Sequence, residues 1–476
     1  MPQDSLSDDI IYAPLRDLGE RLRTRKLSPV TLTEAYLDRL QTYGPRLNAV
    51  VTLLREAALK EARAADEEIR QGKYRGPLHG IPYGAKDLLA ARGAPTTWGA
   101  APYRQQSFDF DATVIRKLRD AGAILVAKLA MVELAGCFGY DNADASFSGP
   151  CRNPWNVGYW AGGSSSGSGA AVAARLVTFA IGSETSGSII TPAAYCGVSG
   201  LRTTYGRVSR HGAMALSWTL DKLGPLCRSA DDCGLVLAAI AGRDPLDPTT
   251  VARTFAHPEP AANVPKRFRV GIIRGSVAGC QPAVRDNFND AVKVLAKSCD
   301  IVEDVPYPSQ AFGPVVQILI DAEGACAFRG LIEAGRMREL RTASMHPAAC
   351  AATTVLAVDY LQAMRLRTRM RRVLHELYAK FDALIAPARS TVAYPIDRNF
   401  SEAYREFRGG PPVIPAGNIA GQPALSVPTG FGPNGLPTGI QFTGKAWSEP
   451  RLLTIARAYQ DATEWHRRRP TLPKEP

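Results

Sequence analysis

The sequence lacks any clustered set of metal-binding or disulfide-forming residues. Its nine cysteines, an odd number, are dispersed without a CxxC pair, and its six histidines form neither HExxH nor a Cys/His zinc spacing. Such dispersal indicates reduced, mostly buried thiols and gives no support to a structural or catalytic metal. No metal site is therefore predicted.

Long hydrophobic runs are also missing. No segment reaches 18 apolar residues without a charge or a breaker, so no membrane span is expected. The opening residues MPQDSLSDDIIYAPL are acidic and lack the basic start and apolar run of a secretory signal. Because hydrophobic residues make up 45% and charged residues 21%, the composition is that of a globular protein. We expect a soluble, cytoplasmic protein.

Basic residues are in excess, with a formal net charge of +12. The sharpest basic run, RLRTRMRR at residues 365–372, has arginines at i, i+2, i+4, i+6 and i+7, so they would surround a helix. No aromatic stacking pattern or recognition motif accompanies the run. The pattern favours a solvated helix over a nucleic-acid site, and no nucleic-acid partner is expected.

The organisation of the chain is predicted to be α/β. Residues 1–75 carry periodic apolar positions that predict helices from about 29 to 71 and an outer helical layer. Residues 76–476 alternate short apolar strands with amphipathic helices. A single large mixed β-sheet between helical layers, forming one compact domain with residues 1–75, explains this alternation best. The proline-rich stretch 241–268 is predicted to be a surface excursion.

Two segments rich in serine and glycine interrupt apolar sequence. These are AGGSSSGSGAA at residues 161–171 and GSETSGSII at residues 182–190. A flexible linker would not usually run straight into an alanine-rich helix, as the first segment does. Glycine permits close backbone approach, and successive N–H groups in such turns form concavities for oxyanions. Both segments are interpreted as functional loops.

A serine nucleophile needs a base to accept its proton. Ser165 fits the G-x-S-x-G pattern of α/β-hydrolases, but the turn-rich NPWNVGYWA before it does not resemble the buried strand of a nucleophile elbow. Lys86, in GPLHGIPYGAKDLLA, could be a base only if burial lowered its pKa; otherwise it is a surface lysine. The near P-loop GIQFTGKA at residues 439–446 is interpreted as a strand ending in a turn.

Longer motifs extend these segments: GIPYGAKDLLAARGAPTTWGA, AGGSSSGSGAAVAA, GSETSGSIITPAAYCGVSGLRTTYGRVS and the late GNIAGQPALSVPTGF with GLPTGIQFTGK. Together these motifs resemble the amidase signature family. The match is dense over residues 76–233 and 382–459. Between about 244 and 380 only the α/β pattern agrees, and such variable regions tend to shape the substrate pocket. The resemblance implies amide hydrolysis by a Ser-Ser-Lys triad that needs no cofactor.

Carried over by position, the resemblance makes Ser188 the nucleophile, Ser164 the bridging serine and Lys86 the base. The separation of 24 residues (188 − 164) selects Ser164 among its neighbours. The peptide bond from Gly163 to Ser164 is expected to be cis, and Ser165 is expected to help hold Lys86. The oxyanion hole is expected to consist of the backbone N–H groups of Thr185, Ser186, Gly187 and Ser188.

The sequence departs from the family pattern at three positions. Ser166 and Ser186 stand where the family usually has glycine, which suggests less open loops. Ile190 stands where the family commonly has an arginine that pairs with an acid near Glu184. The missing charge puts the local support network in question and makes an anionic substrate less expected.

The segment MVELAGCFGYDNADASFSG, residues 131–149, resembles the family's loop over the substrate. Its Gly136, Cys137, Phe138 and Tyr140 are predicted to line an apolar and aromatic substrate pocket, the alternative being ordinary core and loop positions. Cys137 as an alternative nucleophile has no histidine nearby in sequence.

The resulting hypothesis is an amidohydrolase acting on a neutral, partly apolar small molecule such as an aryl or alkyl amide, a carbamate or an ester. It would act through an acyl-enzyme, as a monomer or homodimer. One alternative is the amidase subunit of a tRNA-dependent amidotransferase, which releases ammonia from glutamine for a partner complex. Another is a catalytically silent scaffold on the same fold.

Overall fold

A computed structural model describes residues 6–140, 142–258, 267–407 and 409–472 of the chain. The α-helices of these residues are α1 Asp8–Ile11, α2 Leu15–Arg23, α3 Pro29–Leu47, α4 Arg55–Arg70, α5 Thr113–Asp120, α6 Ser166–Ala173, α7 Ile190–Cys196, α8 Ala230–Ile240, α9 Pro282–Leu295, α10 Phe312–Ala327, α11 Arg329–Glu333, α12 Met345–Ala352, α13 Ala357–Tyr378, α14 Phe400–Ala403, α15 Val413–Ala420 and α16 Glu449–Asp461. The strands are β1 Val50–Leu53, β2 Pro82–Lys86, β3 Ile124–Leu129, β4 Arg152–Asn153, β5 Asn156–Trp160, β6 Ala180–Glu184, β7 Ser199–Arg202, β8 Lys222–Cys227, β9 Phe268–Ile273, β10 Cys299–Val305, β11 Ala383–Pro387, β12 Ala424–Phe431 and β13 Pro437–Thr443.

One mixed, 11-stranded sheet organises the chain. Its strand order is β1-β3-β2-β6-β8-β7-β12-β13-β11-β9-β10, and β4 and β5 pair separately. Strands β3, β2 and β6 are parallel neighbours, as are β11, β9 and β10, whereas the pairs from β6 through β8, β7, β12 and β13 to β11 are antiparallel. The predicted large mixed sheet is confirmed.

Helices cover both faces of this sheet. Successive side chains of a strand point to opposite faces, and on β3 they enter two different cores. Leu125 packs in one core with Leu118 of α5, while Ile124 and Val126 pack in another with Leu37 of α3. The predicted α/β arrangement with the sheet between helical layers is therefore confirmed.

The N-terminal region differs from the prediction at one point. The helices expected from about 29 to 71 are interrupted by β1, which pairs antiparallel with β3 at the edge of the sheet. Asn48, after α3, adopts a left-handed conformation (φ 49°) that ends the helix. The β-branched residues of VVTL then favour a strand. Residues 1–75 thus contribute a strand to the sheet as well as helices.

Four other expectations from the sequence concern the basic run, the near P-loop, the proline-rich stretch and membrane-spanning segments. In α13, Arg367 is buried and donates to backbone carbonyls, while Arg365 and Arg369 are exposed, so the basic run does surround a helix. Residues 439–446 form the end of β13 and a turn, as predicted. Residues 241–258 form no α-helix and no strand of the sheet, and 259–266 lie outside the described residues. Within the described ranges, no helix is both long and apolar enough to cross a membrane.

Candidate active site

Lys86 is the last residue of β2 and lies beside the parallel strand β6. The register pairs Ala85 with Ile181, so the carboxyl ends of the two strands meet at the same edge of the sheet. Active sites of α/β sheets commonly form at such an edge. The Lys86 side chain is fully buried, with 0% of its surface exposed.

The Lys86 amine lies within hydrogen-bonding distance of two serine hydroxyls. Its Nζ is 2.7 Å from Ser164 Oγ and 2.9 Å from Ser183 Oγ. Burial lowers the pKa of Lys86 to about 7, although the negative charges of Asp221 and Glu184 oppose the shift. A large fraction of the amine is therefore neutral at pH 7 and has a lone pair that can accept the Ser164 proton.

Ser164 lies in the turn that precedes α6. The peptide bond between Gly163 and Ser164 is cis, in agreement with the sequence-based expectation. A Cβ atom at position 163 would lie 2.7 Å from side-chain atoms of both Trp160 and Val132. Only glycine therefore fits at position 163 without displacing these side chains.

Ser183, at the end of β6, is a contact that the sequence analysis did not identify. Its hydroxyl is the second hydrogen-bond partner of Lys86. Ser165, which was expected to help hold the lysine, donates instead to the Ser183 carbonyl at 3.1 Å and accepts from the Ser183 N–H at 3.3 Å. No hydrogen bond within the described part of the chain joins Ser165 to Lys86. Any support from Ser165 acts through Ser183.

The turn between β6 and α7 carries Ser188 and four successive N–H groups. Gly187 has φ +94°, a conformation that favours glycine. The N–H groups of residues 185–188 donate no hydrogen bond to any described residue. They are therefore available to a ligand oxygen. The Ser165 N–H donates to the Ser188 carbonyl at 3.3 Å and so joins the two serine loops.

The Ser164 and Ser188 hydroxyls are not hydrogen-bonded to each other within the described ranges. Proton transfer between them needs a rearrangement of one of the two side chains. Catalytic hydrogen bonds often tighten only when substrate is bound. Of the two hydrogen bonds that the expected relay would need, the structure contains the one between Lys86 and Ser164.

Glu184 stabilises the turn between β6 and α7 through hydrogen bonds to its backbone. Its carboxylate accepts the N–H groups of Ile189 and Ile190 at 2.9 and 3.0 Å, and it accepts from Arg202 and from the Asn418 amide at 3.0 Å each. Burial would raise the pKa of Glu184, but Arg202 and Lys222, with these hydrogen bonds, lower it to about 2. The charge missing at Ile190 is therefore supplied by Arg202, from β7.

Glu184→Gln is expected to lower the free energy of unfolding by about 3–5 kcal/mol, because it leaves Arg202 buried without a counter-charge. It should also lower kcat, because the turn that carries Ser188 loses its charged support. The matched control is Glu449→Gln, which breaks the buried pair of Glu449 with Arg207 far along the chain. Chemical denaturation and kinetics of both variants should show similar destabilisation, with a kcat loss only for Glu184→Gln. Equal kcat in the two variants would contradict this role of Glu184.

Thr185 is anchored on the other side of the turn. Its hydroxyl donates to Asp221 at 2.6 Å, and the same carboxylate accepts the N–H groups of Leu216 and Ser217 at 2.9 Å. Burial raises the pKa of Asp221 despite these hydrogen bonds. The Thr185 N–H is consequently held in place from two directions, through Asp221 and through β6.

Ser188 opens into a cavity of about 350 Å³. Its lining combines aromatic and aliphatic side chains with hydroxyl and backbone groups of the serine loops and one arginine, and several of these residues were not found from the sequence. The described lining consists of Ala135, Gly136, Tyr140, Trp160, Gly163, Thr185, Ser186, Ser188, Thr191, Tyr195, Leu216, Ile320, Arg389, Tyr394 and Phe400. A neighbouring cavity of about 200 Å³ shares Ala135, Thr185 and Leu216 with it. Lining residues come from segments far apart in sequence, which is why no local pattern indicated them.

The predicted substrate loop contributes two of its four expected residues to this lining. Gly136 and Tyr140 line the cavity. Cys137 and Phe138 are buried in the core instead, where Phe138 makes an edge contact with Phe328 (ring centroids 6.2 Å apart). Burial raises the pKa of the Cys137 thiol, which disfavours the thiolate that a cysteine nucleophile needs. Within the described residues, no group of three or more His, Cys, Asp or Glu side chains is arranged to hold a metal.

Comparisons with known proteins agree with this architecture. The family described as Amidase matches residues 31–453. A glutamyl-tRNA(Gln) amidotransferase subunit of Methylococcus capsulatus is 36% identical, over 96% of this chain and 98% of its own length. The solved peptide amidase of Stenotrophomonas maltophilia is 33% identical with a TM-score of 0.82, covering 97% of this chain and 98% of its own.

A second solved structure, the corresponding glutamyl-tRNA(Gln) amidotransferase subunit of Thermotoga maritima, is 27% identical with a TM-score of 0.79 and covers 96% of each chain. The similar proteins therefore include both peptide amidase and amidotransferase subunits. Because the family match spans most of the chain and the fold agrees throughout, the chain belongs to the amidase family, whose members carry the amidase signature.

Proposed function

We propose that the chain hydrolyses a C–N acyl bond through an acyl-enzyme formed on Ser188. Neutral Lys86 takes the proton of Ser164, Ser164 takes that of Ser188, and Ser188 Oγ attacks the substrate carbonyl. The N–H groups of residues 185–188 stabilise the oxyanion, and one well-placed donor of this kind contributes about 3–4 kcal/mol in comparable sites.

The second half of the reaction returns the protons. The relay delivers a proton to the leaving nitrogen as the C–N bond breaks, which leaves an ester on Ser188 and a free amine. Water then attacks the ester carbonyl, gives its proton to the relay and releases a carboxylic acid. The observation that carries the proposal is the fully buried Lys86, with Nζ 2.7 Å from Ser164 Oγ and a pKa of about 7.

The aromatic lining supports a partly apolar substrate with a neutral reacting group. Tyr140, Trp160, Tyr195 and Phe400 give the cavity aromatic walls on which an aryl or alkyl group can pack. We propose an aryl or alkyl amide, with a carbamate or ester as the related reactive groups. We further propose that the protein acts in the cytoplasm as a monomer or homodimer, a location supported by its nine unpaired cysteines.

A second candidate is the amidase subunit of a tRNA-dependent amidotransferase. It is supported by the similarity of the chain to glutamyl-tRNA(Gln) amidotransferase subunits. Such a subunit would act on glutamine and would have protein partners. Against it, the described lining of the Ser188 cavity contains no aspartate or glutamate to pair with the ammonium group of glutamine.

The two candidates can be separated by substrate. The purified chain is expected to release amine from aryl amides or carbamates faster than it releases ammonia from glutamine, measured at equal concentration, and Ser188→Ala should abolish each activity that is found. Preferential ammonia release from glutamine, or co-purification of stoichiometric partner subunits, would favour the amidotransferase candidate. Activity that survives in Ser188→Ala would contradict both, and no activity on any substrate would favour the silent scaffold.

A further inference from the structure

Arg389 is a cation in the candidate active site for which neither the relay nor the oxyanion turn has a use. It follows β11 and lines the Ser188 cavity. It also lines a neighbouring cavity of about 310 Å³, and Phe400 is the other residue that the two share. Arg389 therefore lies at the boundary between the two cavities, one of which contains Ser188.

No counter-charge compensates this cation within the described ranges of the chain. No described carboxylate forms an ion pair with Arg389, and its Nε is buried without a hydrogen-bond acceptor. Two buried arginines have carboxylate partners, since Arg202 pairs with Glu184 and Arg207 pairs with Glu449. Buried Arg367 has no such partner and donates instead to two backbone carbonyls. Arg389 itself is half-buried, and its Nε is shielded from water without gaining an acceptor, which is costly for a polar N–H group.

The neighbours of Arg389 are phenols, which do not neutralise it. Its guanidinium lies 5.9 Å from the centre of the Tyr195 ring, and Tyr140 and Tyr394 line the same cavity. Burial raises the pKa of Tyr140 to about 12 and also raises the pKa of Tyr394, so both phenols stay neutral at physiological pH. The rings can orient the guanidinium while leaving its charge to a ligand.

We propose that Arg389 binds a carboxylate of the substrate, so that the substrate is an amide or carbamate carrying one acidic group away from the bond that is cleaved. A guanidinium binds carboxylates through two parallel hydrogen bonds, which fixes orientation as well as charge. Because the cavity lining holds one cation and no described acid, it suits a monoanion better than an amino acid zwitterion. This inference rests on the proposed hydrolysis at Ser188.

The sequence-based expectation of a neutral substrate rested on Ile190, and the structure removes that basis. Ile190 is fully buried, its N–H is bonded to Glu184, and it does not belong to the cavity lining. Its side chain therefore carries no information about the charge of the substrate. The group that faces the substrate is Arg389.

The test compares pairs of p-nitroanilides that differ only in charge. One series has acyl chains of three to six carbons ending in a carboxylate, and its neutral partners end in a methyl ketone of similar shape. A second pair places the carboxylate, or an acetyl group, on the aniline half. Release of the aniline gives kcat and KM for wild type, Arg389→Gln and Arg389→Lys.

The wild type is expected to prefer the carboxylate in one of these series. Arg389→Gln should lower kcat/KM for that carboxylate by about 10- to 150-fold, the range for a hydrogen bond to a charged group, mainly through KM. For the matched neutral substrate, Arg389→Gln should change kcat/KM less than threefold. For the carboxylate substrate, kcat/KM of Arg389→Lys should lie between the values of wild type and Arg389→Gln.

Three outcomes would overturn the inference: no carboxylate preference in either series, an equal loss by Arg389→Gln on charged and neutral substrates, or a preference that Arg389→Gln leaves unchanged. An equal loss would make Arg389 a structural residue. Failure of the proposed function is distinguishable, because wild type and Ser188→Ala would then behave alike on the neutral anilides. Inhibition of neutral-anilide hydrolysis by propionate to hexanoate gives a second readout, with weaker inhibition expected in Arg389→Gln.

Discussion

Ser188→Ala is expected to lower kcat for amide hydrolysis by about 10⁴- to 10⁶-fold, the largest effect of any single substitution in this protein. The residual rate would come from binding and from the oxyanion turn, since loss of a serine nucleophile leaves those contributions in place. The substitution removes one oxygen atom and leaves the Ser188 carbonyl free to accept from the Ser165 N–H. The variant should therefore fold normally, with a thermal transition close to that of wild type.

The matched control for this substitution is Ser186→Ala. Ser186 lies in the same turn and lines the same cavity, but its proposed contribution is its backbone N–H, which alanine retains. Its kcat should stay within about tenfold of wild type, because the oxyanion donor is unchanged. Steady-state kinetics on one aryl amide are sufficient. If Ser188→Ala kept more than a hundredth of the activity, or Ser186→Ala lost as much as Ser188→Ala, Ser188 could not be the nucleophile.

Lys86→Met should lower kcat/KM by about 10²- to 10⁴-fold, the usual contribution of a general base. In the wild type, activity requires the neutral amine, and burial lowers the pKa of Lys86 to about 7. The kcat/KM profile should therefore rise about tenfold per pH unit on the acidic side and level off above pH 7. The residual activity of Lys86→Met should not show this inflection near 7. An inflection that persisted in the variant would assign the base to another group.

The same lysine is expected to destabilise the fold. Its folded pKa of about 7 lies below the ordinary value of 10.5, so the unfolded chain binds more protons between these limits and wild-type stability rises with pH across that window. Lys86→Met should accordingly be more stable than wild type, on the order of 2 kcal/mol at pH 6 after the loss of two hydrogen bonds. The difference should shrink towards pH 9.

Lys128→Met is the control for this stability effect. Lys128 is also fully buried, but its amine lies 2.8 Å from the Asp87 carboxylate. Its removal leaves Asp87 as a buried, unpaired charge and should destabilise the protein. Denaturation curves of the two variants should thus move in opposite directions. Destabilisation by both substitutions at pH 6 would show that Lys86 is a structural lysine.

The sequence could indicate candidates for the proposed relay because these residues lie in short motifs with a fixed spacing. Lys86, Ser164 and Ser188 were assigned by that resemblance, and the structure places Ser164 on the lysine and Ser188 in the cavity. Ser183 belongs to the same motif as Ser188. The sequence could not indicate its role, because which hydroxyl faces the lysine depends on the register between β2 and β6.

Local sequence patterns could not predict contacts between residues that come from distant segments of the chain. Arg202 and Asn418 meet at Glu184 because β7 and α15 converge behind the turn, although Asn418 lies 234 residues away in sequence. Arg389 follows a buried strand with no motif around it, and its charge becomes informative only once the lack of a described counter-charge is seen. Strand β1 was missed because its four residues lie between two long helices.

The central claim, that Ser188 is acylated with the help of Lys86, is tested most directly by the mass of the intact protein after exposure to an aryl carbamate, followed by peptide mapping. Carbamates suit this test because carbamoylated serines hydrolyse slowly. The account predicts one carbamoyl group per chain, located on Ser188, absent in Ser188→Ala and formed far more slowly in Lys86→Met. An adduct on Ser165 or Cys137, or unchanged labelling in Lys86→Met, would contradict it.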